Sequence, residues 1–223
     1  MDIRTTDLGA VARDVLARRG IDPTIAPPPA PFNLADHLTD QANATLDLIL
    51  PPRFRHAEPD VPEVRQWIGR YLADPKTCPG LLLLGPVGTG KSHQAFGALR
   101  RVALECAKRC RRITYAVTSH PEFNAAMRPQ PDDRHLRALE DFQTVDLLVF
   151  DDLGAGKSSD WTEDTLYRLV DTRWARQLPT ITTTNLDAGS LRANADERVV
   201  SRLSTNVQVA LKGTDRRREE GQQ

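Results

Sequence analysis

Apolar residues recur along this chain with two different periods, and the change from one to the other divides it. Between residues 4 and 19, Leu8, Val11, Val15 and Leu16 fall at helical spacing with charges on the opposite face; Gly20 ends the helix they predict. Residues 21–31 carry Pro23, Pro27, Pro28, Pro29 and Pro31 and read as an extended, semi-rigid linker. A second helix is expected from residue 33 or 34 to Leu48, stopping before Pro51-Pro52. Two short helices on a tether bury little core, so residues 1–50 read as a small helical docking segment, or else as a tail without a role.

From Val61 short apolar runs alternate with helical stretches. Helices are predicted at 62–72, 91–109, 121–127, 134–142, 162–176 and 196–203. Strands are predicted at 81–84, 113–117, 145–151, 180–184 and 206–211. Alternation of this kind implies a three-layer αβα domain over residues 51–213, with a parallel five-stranded sheet between two layers of helices. A basic, polar tail follows at 214–223. Ligands of such sheets lie beyond the carboxyl ends of the strands.

The length of 223 residues suits one such domain with a small appendage. With 30 basic and 30 acidic residues the formal charge is zero, so no global field draws the chain onto nucleic acid. Local clusters remain, at Lys108-Arg109-Cys110-Arg111-Arg112 and Arg216-Arg217-Arg218. Cys78, Cys106 and Cys110 form no CxxC pair and read as reduced thiols, the last two on one helix. The N-terminus lacks a signal-peptide core and no run is long enough to span a membrane, which points to the cytoplasm.

The chemistry concentrates after the strand at 81–84. Gly85-Pro86-Val87-Gly88-Thr89-Gly90-Lys91-Ser92 is a complete Walker A phosphate loop between a strand and a helix. Its glycines let successive N–H groups point at a phosphate chain, and the helix N-terminus adds its dipole. Lys91 is expected on the β- and γ-phosphates, Ser92 on Mg²⁺, and the adjoining His93 beside the nucleotide. Leu147-Leu148-Val149-Phe150 then leads to Asp151-Asp152 at a strand end. Asp151 is placed to hold Mg²⁺, and Asp152 to orient or deprotonate the attacking water. Asn185, at the tip of the strand 180–184, can sense the γ-phosphate. Arg198 and Arg202, four apart, share a helix face. They either reach a neighbouring subunit's γ-phosphate or form a solvated face paired with Glu197.

Several motifs occur in order: the phosphate loop, Phe150-Asp151-Asp152-Leu153-Gly154, Trp161-Thr162-Glu163 leading to Leu166-Tyr167, Leu178 through Leu186, Arg198 through Leu203, and Gly213-Thr214-Asp215-Arg216-Arg217. Together with Pro51-Pro52-Arg53-Phe54-Arg55-His56-Ala57, this set resembles the DnaC/IstB branch of AAA+ ATPases over about residues 50–217. The resemblance implies a P-loop AAA+ (ASCE) fold that binds ATP and Mg²⁺ between subunits of a homo-oligomer. It implies Arg202 as trans-acting arginine finger with Arg198 as second candidate, Asn185 as sensor, and Phe54 near the adenine. Residues 113–137, with Arg128, Arg134 and Arg137 near His120 and Phe123, resemble an insertion that contacts single-stranded DNA.

Two departures qualify the picture. The 21 residues after Arg202 are too few for the usual helical lid. Aspartate also replaces the glutamate that many related ATPases have at position 152. The leading expectation is a bacterial or phage loader of a replicative hexameric helicase, docked through residues 1–50 and acting on single-stranded DNA. The alternatives are an IstB-type regulator of a transposase and an ATP-gated adaptor with negligible hydrolysis. A small-molecule kinase is disfavoured because no acceptor pocket is evident.

Overall fold

β1 (Leu81–Leu84) is a run of leucines, all buried. Successive strand side chains point to opposite faces. Leu81 and Leu83 therefore enter one core, and Leu82 and Leu84 another. A strand of this kind needs cover on both sides and belongs inside a parallel sheet. The computed structural model, which describes residues 14–20, 32–154, 160–194 and 196–213, has that arrangement. β2 (Tyr115–Ser119), β3 (Leu147–Leu153), β4 (Thr180–Thr184) and β5 (Val207–Ala210) join β1 in the order β2-β3-β4-β1-β5, every pair parallel.

α1 (Leu34–Ile49), α2 (Pro62–Ala73) and α3 (Lys91–Lys108) cover one face. There Leu46, Trp67, Tyr71 and Leu99 pack with Leu81, Leu83, Val149 and Ile181. The other face carries α4 (His120–Ala126), α5 (Arg134–Thr144), α6 (Asp160–Ala175), α7 (Ala188–Asn194) and α8 (Glu197–Leu203). Phe123, Leu139, Leu169, Leu191 and Val199 meet Leu82, Leu148 and Phe150 on that side. The three-layer architecture is the expected one.

The compact unit bearing the sheet begins at Ala35. α1, read above as part of a docking segment, packs into it, with Leu46 and Leu50 each 2 % exposed. In the preceding unit, residues 14–18 are helical, and Gly20 closes the turn at φ +69°, where glycine is favoured. The expected helix over 4–13, the proline linker 21–31 and the tail 214–223 lie outside the described residues.

β2 and β3 each begin two residues later than the apolar pattern suggests. Val145 still belongs to the end of α5, its N–H donating to Asp141 O. The Asp146 carboxylate accepts from Thr114 N and Oγ1 at 2.7 and 2.9 Å, a polar clasp that closes before the sheet starts. A 3₁₀ turn (Pro52–Phe54) and α7 went unpredicted, because neither has enough length to show a period. Cys110 corrects another expectation. It lies past the end of α3 at φ +54° and is exposed, whereas Cys106 is buried. No helix among the described residues is long and apolar enough to cross a membrane.

Candidate nucleotide site

The phosphate loop turns sharply out of β1 because Gly85, at φ +141°, lies against the end of β5. A Cβ there would stand 2.3 Å from Leu211 O, so no other residue fits without moving that backbone. Gly90, left-handed at φ +90°, caps α3. Thr89 and Lys91 are buried, at 3 % and 5 % exposed. Thr89 Oγ1 donates to Pro86 O (2.9 Å), and Lys91 Nζ donates to Gly85 O (2.8 Å) and Pro86 O (2.7 Å). The ammonium thus lies within the turn, where a phosphate chain would meet it.

Ser92 Oγ faces the two Asp151 oxygens at 3.0 and 3.1 Å. The two residues lie 59 apart in sequence, and the adjacency of α3 and β3 brings them together. Among the described residues no cluster of three or more His, Cys, Asp or Glu side chains could hold a metal alone. A hydroxyl beside a carboxylate is instead the sparse, all-oxygen donor set that suits Mg²⁺ bound jointly with phosphates. Burial pushes the Asp151 carboxyl above its ordinary range, and the nearby Asp152 adds to the rise; the Thr183 and Ser92 hydroxyls and Lys91 oppose it.

Both acids face β4 because β3 is bulged. Phe150 pairs with Thr182 and Leu153 with Thr184, so β3 uses one more residue than β4 between the two pairs. Asp152 sits in the bulge at φ +54°. In a regular strand Asp151 and Asp152 would point to opposite faces. Here Thr183 Oγ1 donates to Asp151 Oδ1 at 2.6 Å and accepts the Asp152 N–H at 2.9 Å. Asn185 Nδ2 donates to Asp152 Oδ1 at 3.2 Å. Thr183 had no assigned role in the sequence; its signal was the two-residue spacing from Asn185, which puts both on one side of β4. Behind the bulge Gly154 N donates to His120 Nδ1 (2.8 Å), and burial lowers the basicity of that imidazole.

The remaining site residues distribute differently. His93 turns to Glu58 O, with Nε2 at 3.0 Å. The Phe54 ring packs on Phe96 of α3, centroids 5.0 Å apart. The buried Gln94 accepts from Asp60 N and Val61 N at 3.1 and 3.2 Å, and its amide also donates to the Asp60 carboxylate. The lead-in segment is thereby fixed to the helix that carries Lys91. Arg198 and Arg202 do share one face of α8, but Glu197 is not their partner. Arg198 meets Asp196 and Asp164, and Arg202 meets Asp171. None of these acids belongs to the phosphate loop or to β3.

The expected aromatic pairing near residues 113–137 is corrected. Phe123 and His120 are 0 % and 4 % exposed and belong to the core. Arg128, Arg134 and Arg137 are exposed, and the exposed aromatic near this surface is Trp161, whose ring lies 6.4 Å from that of His135. An apolar cavity of about 400 Å³ lies elsewhere, between α6, α8 and the sheet, with Leu166, Val170, Trp174 and Leu203 in its wall. It includes no residue of the phosphate loop.

Residues 75–203 match the IstB-like ATP binding protein family. The protein YdaV of Escherichia coli (strain K12) is 26 % identical over 131 residues, 58 % of this chain and 50 % of that one. The match therefore spans about half the length of this curated relative. Among solved structures, DnaI aligns with a TM-score of 0.59 at 23 % identity, over 75 % of this chain and 94 % of that chain. The DnaC helicase loader aligns with a TM-score of 0.60 at 23 % identity, over 73 % of this chain and all of that one (100 %). These likenesses show the fold, a parallel five-stranded sheet between two layers of helices. With a phosphate loop, an acidic bulge facing it and a family match over more than half its length, this chain belongs to the IstB-like ATP-binding family.

Proposed function

We propose that the chain hydrolyses ATP with Mg²⁺ at sites shared between neighbouring copies, and uses the cycle to place a replicative hexameric helicase on single-stranded DNA. The observation that carries the hydrolytic part is the convergence of Lys91, Ser92, Asp151, Asp152 and Asn185 at one end of the sheet. The loop N–H groups and Lys91 bind the phosphates; Ser92 and Asp151 hold Mg²⁺, which would neutralise phosphate charge. Asp152, steadied by the Asn185 amide, orients the attacking water and accepts its proton. Arg202 of the neighbouring copy supplies positive charge as the γ-phosphate departs. Phe54 borders the base.

The likeness to a helicase loader favours the cellular half of the reading, with docking through residues 1–50 and DNA contact through Arg128, Arg134, Arg137 and Trp161. All of it would take place in the cytoplasm. The IstB-like family match favours a second reading, in which the same ATPase regulates a transposase on DNA.

Lys91→Ala tests the first half: ATP turnover is expected to vanish, and unchanged turnover would remove the hydrolytic reading. If the wild-type chain binds ATP without turning it over, it is a nucleotide-gated adaptor. For the second half, the host's purified replicative helicase and transposase are each captured on the immobilised full chain with ATP. Helicase binding alone supports the loader, and transposase binding alone replaces it.

A further inference from the structure

α6 carries Asp164, Tyr167, Asp171 and Trp174 at helical spacing, one stripe that lies under α8. Each arginine of α8 meets one acid and one ring of this stripe. Arg198 Cζ stands 4.2 Å from the Tyr167 ring centroid, and Arg202 Cζ 4.4 Å from that of Trp174. The two guanidinium groups nevertheless end in different states. Arg198 gives Nε to Asp196 and divides Nη2 between Asp196 (2.7 Å) and Asp164 (3.1 Å). Arg202 gives only Nε, to Asp171 Oδ1 at 3.0 Å. Its two Nη groups make no further hydrogen bond among the described residues, and its side chain keeps 29 % exposure.

We infer that Asp171 and Trp174 are positioning residues that present Arg202 to a neighbouring copy's nucleotide, while Arg198 braces α8 against α6. This rests on the reading that Arg202 acts in trans. Asp171 holds the back edge of the guanidinium and Trp174 covers one face, so the long side chain is already ordered. The terminal Nη pair, the part of the fork that grips phosphate oxygens two at a time, makes no hydrogen bond among the described residues. An arginine held this way has little freedom left to lose when a phosphate arrives. Arg198 commits Nε and Nη2 to Asp196 and Asp164 of its own chain, so it does not keep both Nη groups for a phosphate.

The test uses the full chain and the Lys91→Ala protein as a finger donor that cannot use ATP itself. Asp171→Ala and Trp174→Leu are each expected to lower kcat by about 10–100-fold with KM for ATP within about twofold. Mixing either with Lys91→Ala is expected to restore turnover, because the variant's own phosphate loop then receives an intact finger. Trp174→Phe, which keeps an aromatic face, and Asp164→Ala, on the other rung, should stay within about twofold of wild type. Wild-type kcat in both Asp171→Ala and Trp174→Leu overturns the inference. So does a loss that Lys91→Ala does not restore, because that marks a general structural defect. Wild-type turnover in Arg202→Ala instead removes the trans-finger reading itself.

Discussion

Asp151 shows how burial sets a single residue against the fold. Burial raises its pKa above the ordinary 3.8, so the folded state binds this proton more tightly than the unfolded chain does. That contribution to stability is present at acid pH and lost as pH rises through the raised value; above it, the ionised carboxylate burdens the protein. Asp151→Asn is therefore expected to stabilise the nucleotide-free protein at pH 7, by ~0.5–2 kcal/mol as for other relaxed functional sites. The gain should shrink as pH falls and the wild-type carboxyl becomes protonated. The same variant should lose the additional stabilisation that MgATP confers on the wild type. Thermal unfolding from pH 7 down to the ordinary carboxylate range, with and without MgATP, measures both effects. A variant less stable than wild type at pH 7 would contradict the account.

At the scale of elements, Arg173 ties the sheet to its covering helices at the end opposite the site. It is 2 % exposed, and among the described residues no carboxylate accepts from it. Its Nε donates to Thr180 Oγ1, Nη1 to Phe142 O and Val145 O, and Nη2 to Pro179 O, all at 2.8 Å. The end of α5 and the approaches to β3 and β4 are thus fixed from α6. Burial pulls the guanidinium down to about 10, which leaves it charged at neutral pH. Arg173→Met removes the guanidinium donors from three carbonyls at once, of which Pro179 O keeps the Leu148 N–H at 3.4 Å, and is expected to cost ~3 kcal/mol, read as a lower urea midpoint. Arg173→Lys should recover little, because a point ammonium cannot reproduce the spread of a planar fork. Because β3 and β4 carry Asp151 and Thr183 at their far ends, the loss should also weaken nucleotide binding.

For the whole molecule, zero net charge confines any nucleic-acid contact to a local surface. If single-stranded DNA follows Arg128, Arg134 and Arg137, log affinity should fall linearly with log salt, and charge removal at Arg137 should flatten the slope. Trp161→Ala should instead weaken binding by ~1–3 kcal/mol for one lost base stack with the slope unchanged. Fluorescence anisotropy with a labelled oligonucleotide over a salt series separates the two. A flat salt dependence would place the DNA elsewhere or remove it.

What the sequence determined by itself was whatever is encoded in neighbouring residues. The turn from β1 into α3 needs glycine at fixed positions, Gly85, Gly88 and Gly90, so the Walker A loop was legible letter by letter. Leu81–Leu84 and Leu147–Phe150 are apolar throughout because both their faces are covered, which made a parallel sheet and the direction of its active end legible too. Asp151, Asp152 and Asn185 could be named from their places at strand ends. Tertiary structure alone decided how those residues meet. The bulge that turns both acids toward β4 is invisible in letters, because it is a mismatch between two strands about thirty residues apart. Thr183, His120 and Arg173 owe their roles to partners contributed by other elements, and the burial of His120 and Phe123 depended on which helix came to cover them. The difference between Arg198 and Arg202, identical residues one turn apart, arises only where α8 comes to rest on α6. Hydrophobic period and backbone conformation are local and survive in the sequence, whereas hydrogen bonds and ion pairs across the fold exist only once the chain has closed on itself.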